Sequence, residues 1–349
     1  MSNLASPFLV LIFAAGAAAT WVSGTSLAKS TDALDNRFGL GDALGGMILL
    51  SIAGTLPEVA ITVSAVMQGH LGLAAGNLIG GIAIQTMVLI ICDITAGRKS
   101  ALTYLVGSLI PVLEALLVVL VVSIVLMGAL LKPSVAIGSV SPASIAIVVV
   151  WLCGIIVINR FRKSPDWEAV APGSQPGRPH RRVAHATVAT PHTGTSTWRV
   201  ALYFALACVV TLVAGVFLQV SGSDLAGRAG INGVVFGATV LALATALPEI
   251  SSGIGAVRLG DHGLAMGDIF GGNAFQVCLF LVADFIAAKP VLPTAGNQNS
   301  WLAILGIGLT SVYAIGIIFR PKRCYLRLGA DSLLVIVLFA LGIAGLVTI

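Results

Sequence analysis

Ala53-Gly54-Thr55-Leu56-Pro57-Glu58 and Ala244-Thr245-Ala246-Leu247-Pro248-Glu249 are one element written twice, each setting a glutamate after a proline inside an apolar stretch. The offset is 191 residues (249 − 58), and the match continues without a gap. Gly69 falls on Gly260, Gly72-Leu73-Ala74 on Gly263-Leu264-Ala265, Gly76 on Gly267, Gly80-Gly81 on Gly271-Gly272 and Gln85 on Gln276. Even Asp93 falls on Asp284. An acid in the middle of a lipid-spanning helix costs about 3 kcal/mol, so it points to function. Two such acids, each beside a helix-breaking proline in corresponding repeats, point to the binding site of a secondary transporter.

Composition sets the class. Of 349 residues, 57% are hydrophobic and 9% charged, against about 25% charged for a soluble chain. Apolar runs long enough to cross a bilayer recur along the chain. We read ten spans: 5–27, 40–67, 71–94, 102–128, 140–159, 199–221, 231–258, 262–287, 300–319 and 330–348. The first has no basic region before it and no small-residue cleavage site, so it reads as a retained helix rather than a signal peptide. Cys92, Cys153, Cys208, Cys278 and Cys324 have no close spacing and read as packing residues. The net charge of +5 is spread between apolar runs, so nucleic acid is not an expected partner; membrane lipid and inorganic cations are.

The fold class expected is all-α integral membrane, ten helices in two five-helix halves. Residues 1–159 form the first half and 199–349 the second. Residues 160–198 between them are rich in Pro, Gly, Arg, Ser and Thr and lack apolar periodicity. Such a segment buries too little surface to offset its ordering entropy and reads as a disordered linker. His180, His185 and His192 within it are too irregularly spaced for a metal site.

Loop charges orient the spans. With the N-terminus outside, short inner loops hold Lys29, Arg37, Arg98, Lys99, Arg258, Arg320, Lys322, Arg323 and Arg327, and outer loops hold Lys132, Arg228 and Lys289. Nine against three places both termini outside a cell (inner) membrane and the linker in the cytoplasm. Glu58 and Glu249 then lie five spans apart, so the two copies enter the membrane in opposite directions. An inverted repeat of this kind supports alternating access around one central site. Val22-Ser23-Gly24 and Val220-Ser221-Gly222 extend the likeness upstream.

Ser51, Thr55, Glu58 and Thr62 recur at helical spacing on one face, as do Thr245, Glu249 and Ser252. Pro57 denies the carbonyl of Ala53 its helical donor, and Pro248 does the same for Ala244. Carbonyls, hydroxyls and two carboxylates make an all-oxygen set suited to a hard cation such as Ca²⁺. The next span of each copy is glycine-rich and leads to Gln85 and Gln276, each with an amide oxygen at comparable depth. Asn77, Asp268, Asn273, Gly81 and Gly272 are secondary candidates. Asp93, Asp284 and Glu114 read as structural. No resident cofactor is expected.

These residues resemble the alpha repeats of the calcium/cation antiporter superfamily, which includes sodium/calcium and calcium/proton exchangers. Its pattern is Gly-Thr-Ser-Leu-Pro-Glu, followed by Gly-Asn-x-x-Gly-Ser-Asn and a polar residue three further on. The resemblance implies that Glu58 and Glu249 bind a transported cation, with Thr55 and Thr245 nearby and Gln85 and Gln276 as the later polar pair. Here Gly81 and Gly272 replace the family's serines, and Ile82 replaces an asparagine. In sodium-coupled members those serines help build sodium sites. Burial favours the neutral form of a carboxylate, so both glutamates can take protons when no cation is bound. One Ca²⁺ or two protons then neutralise the same pair. The expected activity is calcium/proton antiport, with sodium/calcium or sodium/proton exchange as the alternative and a cation channel as a further one. No Gly-x-Ser-x-Gly or His-Glu-x-x-His is present, so nothing points to an enzyme.

Overall fold

The computed structural model describes residues 4–38, 53–97, 100–163, 196–258, 260–325, 327–346 and 348–349. The start of the second span, Ser51 and most of the linker lie outside the described residues. The chain is helical nearly throughout. Its helices are α1 (Ser6–Phe38), α2 (Leu56–Met67), α3 (Leu71–Ala96), α4 (Ile110–Ala129), α5 (Pro142–Lys163), α6 (Thr197–Arg228), α7 (Gly233–Thr245), α8 (Leu247–Arg258), α9 (His262–Gln276), α10 (Leu279–Ala287), α11 (Gly296–Phe319) and α12 (Ala330–Leu346). Among the described residues, seven helical stretches are long and apolar enough to cross a membrane, with α9 and α10 forming one of them. The bent pair α7 and α8 forms an eighth. All five cysteines are unpaired, as free packing residues would be.

The prolines act at starts, not interiors. Thr55 and Ala246 leave the helix as turn residues, and Pro57 and Pro248 sit in the first turn of the helix that follows. A missing N–H costs nothing there, because first-turn N–H groups have no helical acceptor. The amides of Val59 and Ile250 donate to Thr55 O and Ala246 O, 3.0 and 3.1 Å away, and re-establish the ladder. Between α7 and α8 the axis bends by 45°. Upstream, Gly237–Leu241 is wound as a π turn, a local irregularity often found at functional sites.

Glycine decides how closely the two repeats cross. A Cβ on Gly76 would lie 2.6 Å from the carbonyl oxygen of Val234, and one on Gly237 would lie 2.7 Å from that of Leu73. Backbone therefore meets backbone where α3 crosses α7, as small residues permit within membranes. The turns into α3 and α9 are also alike. Gly69 and Gly260 take φ of 77° and 83°, a left-handed conformation that an L side chain resists.

The longest helices, α1 and α6, pack against each other and against the shorter α2 and α8, while α3, α4, α9 and α11 form the central group. Outward faces remain apolar: Phe8, Leu11 and Val22 on α1 and Leu206 and Val209 on α6 are exposed. In water such surface would be a liability, and in lipid it is the expected finish. Three spans differ from their expected ends. The fourth is split into a single turn at Leu102–Leu105 and then α4, with Pro111 in its first turn. Helices α1 and α6 continue past their apolar runs, because the polar residues that follow are compatible with helix.

Candidate functional site

Glu58, on the first turn of α2, is fully buried and accepts a hydrogen bond from Gln85 Nε2 on α3 at 3.2 Å. The Thr245 side chain, from the other half of the chain, is a second hydrogen-bond partner. Glu249 opens α8 and is also buried. Its Oε1 lies 3.7 Å from the position a Cβ on Gly54 would take, so it faces the break before α2. Glu58 and Asp268 are the charged neighbours acting on it. Among the described residues no lysine or arginine acts on either glutamate. The two copies of the motif therefore meet, each glutamate against the break of the other copy.

The amides of the following spans interlock in the same reciprocal way. Gln276 Nε2 donates to the carbonyls of Leu78 and Asn77, at 2.8 and 3.3 Å. It fills the space that a side chain at Gly81 would need. In turn Gln85 Oε1 stands 3.9 Å from the Cβ position of Gly272. Asn273 Nδ2 reaches Thr86 Oγ1 at 3.4 Å. Asp268 Oδ2 accepts from Ser252 Oγ at 2.6 Å, and that hydroxyl also lies 3.2 Å from Glu249 O. Ala53, Thr55 and Ala244 are buried beside the breaks.

What these groups leave unmade is more telling than what they make. Among the described residues, Glu58 Oε2, Glu249 Oε2, Gln85 Oε1, Gln276 Oε1, Asn77 Oδ1 and Asn273 Oδ1 are buried oxygens with no hydrogen-bond partner. A buried acceptor left unsatisfied costs about 1–3 kcal/mol. Six of them belong to residues where the two repeats meet, and a hard cation takes six to eight oxygens.

Three features of this region escape a reading of the sequence. Gly54 matters because Glu249 comes from the other half. Thr86 matters because Asn273 does. Glu114, read as structural, points its Oε2 at Gly267, 2.9 Å from where a Cβ would stand. Only the fold brings such pairs together. The structural reading of Asp93 and Asp284 agrees with their bonds. Asp93 accepts from the amides of Leu102 and Gly329, both at 2.7 Å, and from Ser332 Oγ at 2.6 Å. Asp284 accepts from the amides of Val291 and Ser141, at 2.7 and 2.9 Å, and from Ser144 Oγ at 2.7 Å. Each acid ties its own half to the start of the last helix of the other half.

The model of the sodium/calcium exchanger protein family matches residues 8–169 and 200–349, which covers both repeats and leaves residues 170–199 unmatched. The chain belongs to that family. It is a multi-pass membrane protein, and the family is one of exchangers rather than enzymes. Among curated relatives, CaxA of Alkalimonas amylolytica is 27% identical over 109 residues, 31% of this chain and 34% of that protein. The inner membrane protein YrbG of Escherichia coli (strain K12) is 30% identical over 96 residues, 28% of each chain. The chain thus matches about a third or less of the length of these relatives. Solved structures agree over nearly all of it. The H⁺/Ca²⁺ exchanger CAX superposes with a TM-score of 0.68 at 15% identity, covering 97% of this chain and 86% of that one. The sodium-calcium exchanger NCX_Mj gives 0.59 at 16% identity, over 97% and 98%. At such identity the likeness concerns the fold.

Proposed function

We propose that this chain is an alternating-access antiporter that exchanges Ca²⁺ for protons through a site centred on Glu58 and Glu249. The observation that carries the proposal is the set of unpartnered buried oxygens drawn from both repeats. Two carboxylates and four amide oxygens offer a divalent cation a dehydrated shell. Ser252, Thr55, Thr245 and the Ala53 and Ala244 carbonyls stand at its edges; Ser51 is a further candidate by sequence alone.

Charge balance supplies the coupling. With Ca²⁺ bound, the two glutamates are neutralised; with the cation gone, two protons do the same work. A bare pair of buried carboxylates is the state that costs most, because each ion loses several kcal/mol of hydration. The site therefore changes sides only when loaded. Gly81 and Gly272 offer no hydroxyl for a separate sodium shell, and Gln276 takes the volume beside Gly81. Sodium/calcium exchange, the alternative favoured by the family's description, would have to use a different set of ligands.

The architecture proposed is ten spans in two inverted five-helix halves, 1–159 and 199–349, joined by a cytoplasmic linker over 160–198. Both termini lie outside the inner membrane. The partners are lipid and inorganic cations, and no resident cofactor is involved. Reconstitution into sodium-free vesicles tests the proposal: an imposed pH gradient drives saturable Ca²⁺ flux. Flux that ignores pH and needs a sodium gradient would replace it with the sodium-coupled reading.

A further inference from the structure

The turn that joins α11 to α12 is a concentrated positive charge. From Phe319 to Ala330 the chain carries Arg320, Lys322, Arg323 and Arg327 and no acid. Lys322, Arg323 and Arg327 are exposed and Arg320 is half-buried. Cys324–Tyr325 pairs antiparallel with Leu328–Gly329, which closes the turn as a tight hairpin. Arg320 and Arg327 both take left-handed backbone, φ 50° and 73°, a conformation that L residues other than glycine seldom hold. Arg320 caps the end of α11, its amide donating to Gly316 O at 2.8 Å, and Arg327 lies between the two paired strands.

The side chains are fixed as well. Arg320 Nη2 donates to the carbonyl of Tyr104 at 2.8 Å. Its Cζ lies 5.3 Å from the centroid of the Tyr104 ring, and Lys322 Nζ lies 5.5 Å from the same centroid. One aromatic ring thus holds two cations together. Arg320 Nε is buried and has no hydrogen-bond partner. The nearby acids are already engaged: Asp93 by Leu102, Gly329 and Ser332, and Asp331 by Thr103 Oγ1 at 2.5 Å and the amide of Ser332 at 2.9 Å. A guanidinium held in place beside a second cation at the surface suits a phosphate group.

The neighbouring surface identifies the phosphate's carrier. Ile315, Ile318 and Phe319, one face of α11 leading up to Arg320, are 54%, 59% and 81% exposed. Tyr325, on the hairpin itself, is 52% exposed. A basic turn standing on an apolar stripe, with aromatic rings at the junction, matches a lipid: headgroup above, acyl chains below. The chain's own linker fits poorly, because it carries Arg160, Arg162, Lys163, Arg178, Arg181 and Arg182 against only Asp166 and Glu168. We infer that the Arg320–Arg327 turn binds the headgroup of an anionic phospholipid, with its acyl chains along α11. This inference does not depend on which ions are exchanged.

The test titrates the full-length chain in neutral detergent with phosphatidylglycerol, phosphatidylcholine or inorganic phosphate, reading the melting temperature and the apparent Kd. Phosphatidylglycerol is expected to raise the melting temperature, and the other two to leave it unchanged. Combining Lys322→Gln, Arg323→Gln and Arg327→Gln should weaken phosphatidylglycerol binding on the order of a hundredfold, the factor for three basic groups at a membrane surface. Arg320→Gln, made separately, should weaken it at least severalfold, and Lys132→Gln with Lys289→Gln should not. An equal response to phosphatidylcholine overturns the inference, as does full phosphatidylglycerol binding by the triple variant. A matching response to inorganic phosphate overturns the lipid as ligand.

Discussion

The side-chain amide of Gln276 occupies the space beside Gly81, reaching the carbonyls of Leu78 and Asn77 from the opposite half of the chain. A serine at 81, the residue its sodium-coupled relatives are expected to carry, would collide with that amide. Gly81→Ser should displace that amide from the Leu78 and Asn77 carbonyls and lower Ca²⁺ transport by roughly fivefold or more, about 1 kcal/mol for the bonds lost. Shortening the partner in the same protein, Gln276→Asn, should recover part of the loss. Flux assays on the two single variants and the double variant check this; simple additivity would mean that the contact carries no function.

Glu58→Gln and Glu249→Gln should each abolish Ca²⁺ exchange while the protein remains folded. Neither carboxylate has a basic partner among the described residues, so an isosteric neutral group removes a charge ligand without stranding a cation. Melting temperatures of the cation-free protein should stay level, because the glutamates are already neutral when no cation is bound. Wild-type flux in either variant is the outcome that removes the central site.

Asp93 and Asp284 should behave in the opposite way. Each carboxylate accepts three short bonds, two of them from the other half of the chain. Asp93→Ala or Asp284→Ala should cost about 3–5 kcal/mol, leaving several buried donors unmet. Whatever protein still folds should bind Ca²⁺ with near-normal affinity. A large affinity change without loss of stability would move these acids from anchors to ligands.

Asp268 separates the two repeats chemically, because the first copy has Asn77 in its place. Its charge acts on Glu249, and its Oδ2 holds the Ser252 hydroxyl. Asp268→Asn should weaken Ca²⁺ binding by roughly three- to tenfold, about 1 kcal/mol of lost attraction in a medium of intermediate dielectric, while exchange persists. Complete loss of exchange would make Asp268 a third essential acid.

The buried glutamates, the later glutamines and most of the apolar helices stand out in the sequence for a physical reason. Acids and amides are costly in lipid, so a repeated one stands out against an apolar background. Partnership is a different matter. Nothing in the spacing of Gly81 says that a glutamine 195 positions later (276 − 81) fills its place. Nor does anything near Gly54 point to Glu249. The bends were half legible: Pro57 and Pro248 mark them, but the turn residues proved to be Thr55 and Ala246, with each proline inside the restarted helix. The π turn at Gly237–Leu241 has no proline to announce it.

Proton release on Ca²⁺ binding tests the central claim most directly. Ligands must be deprotonated to hold a metal, so binding to a protonated site expels protons. Purified protein in weakly buffered, sodium-free solution should release about two protons per Ca²⁺ bound, and apparent Ca²⁺ affinity should fall as pH is lowered, because protonation removes the ligands the cation needs. Glu58→Gln combined with Glu249→Gln should release none. Tight Ca²⁺ binding by the wild-type protein without proton release, at any pH where the site is occupied, would contradict the account.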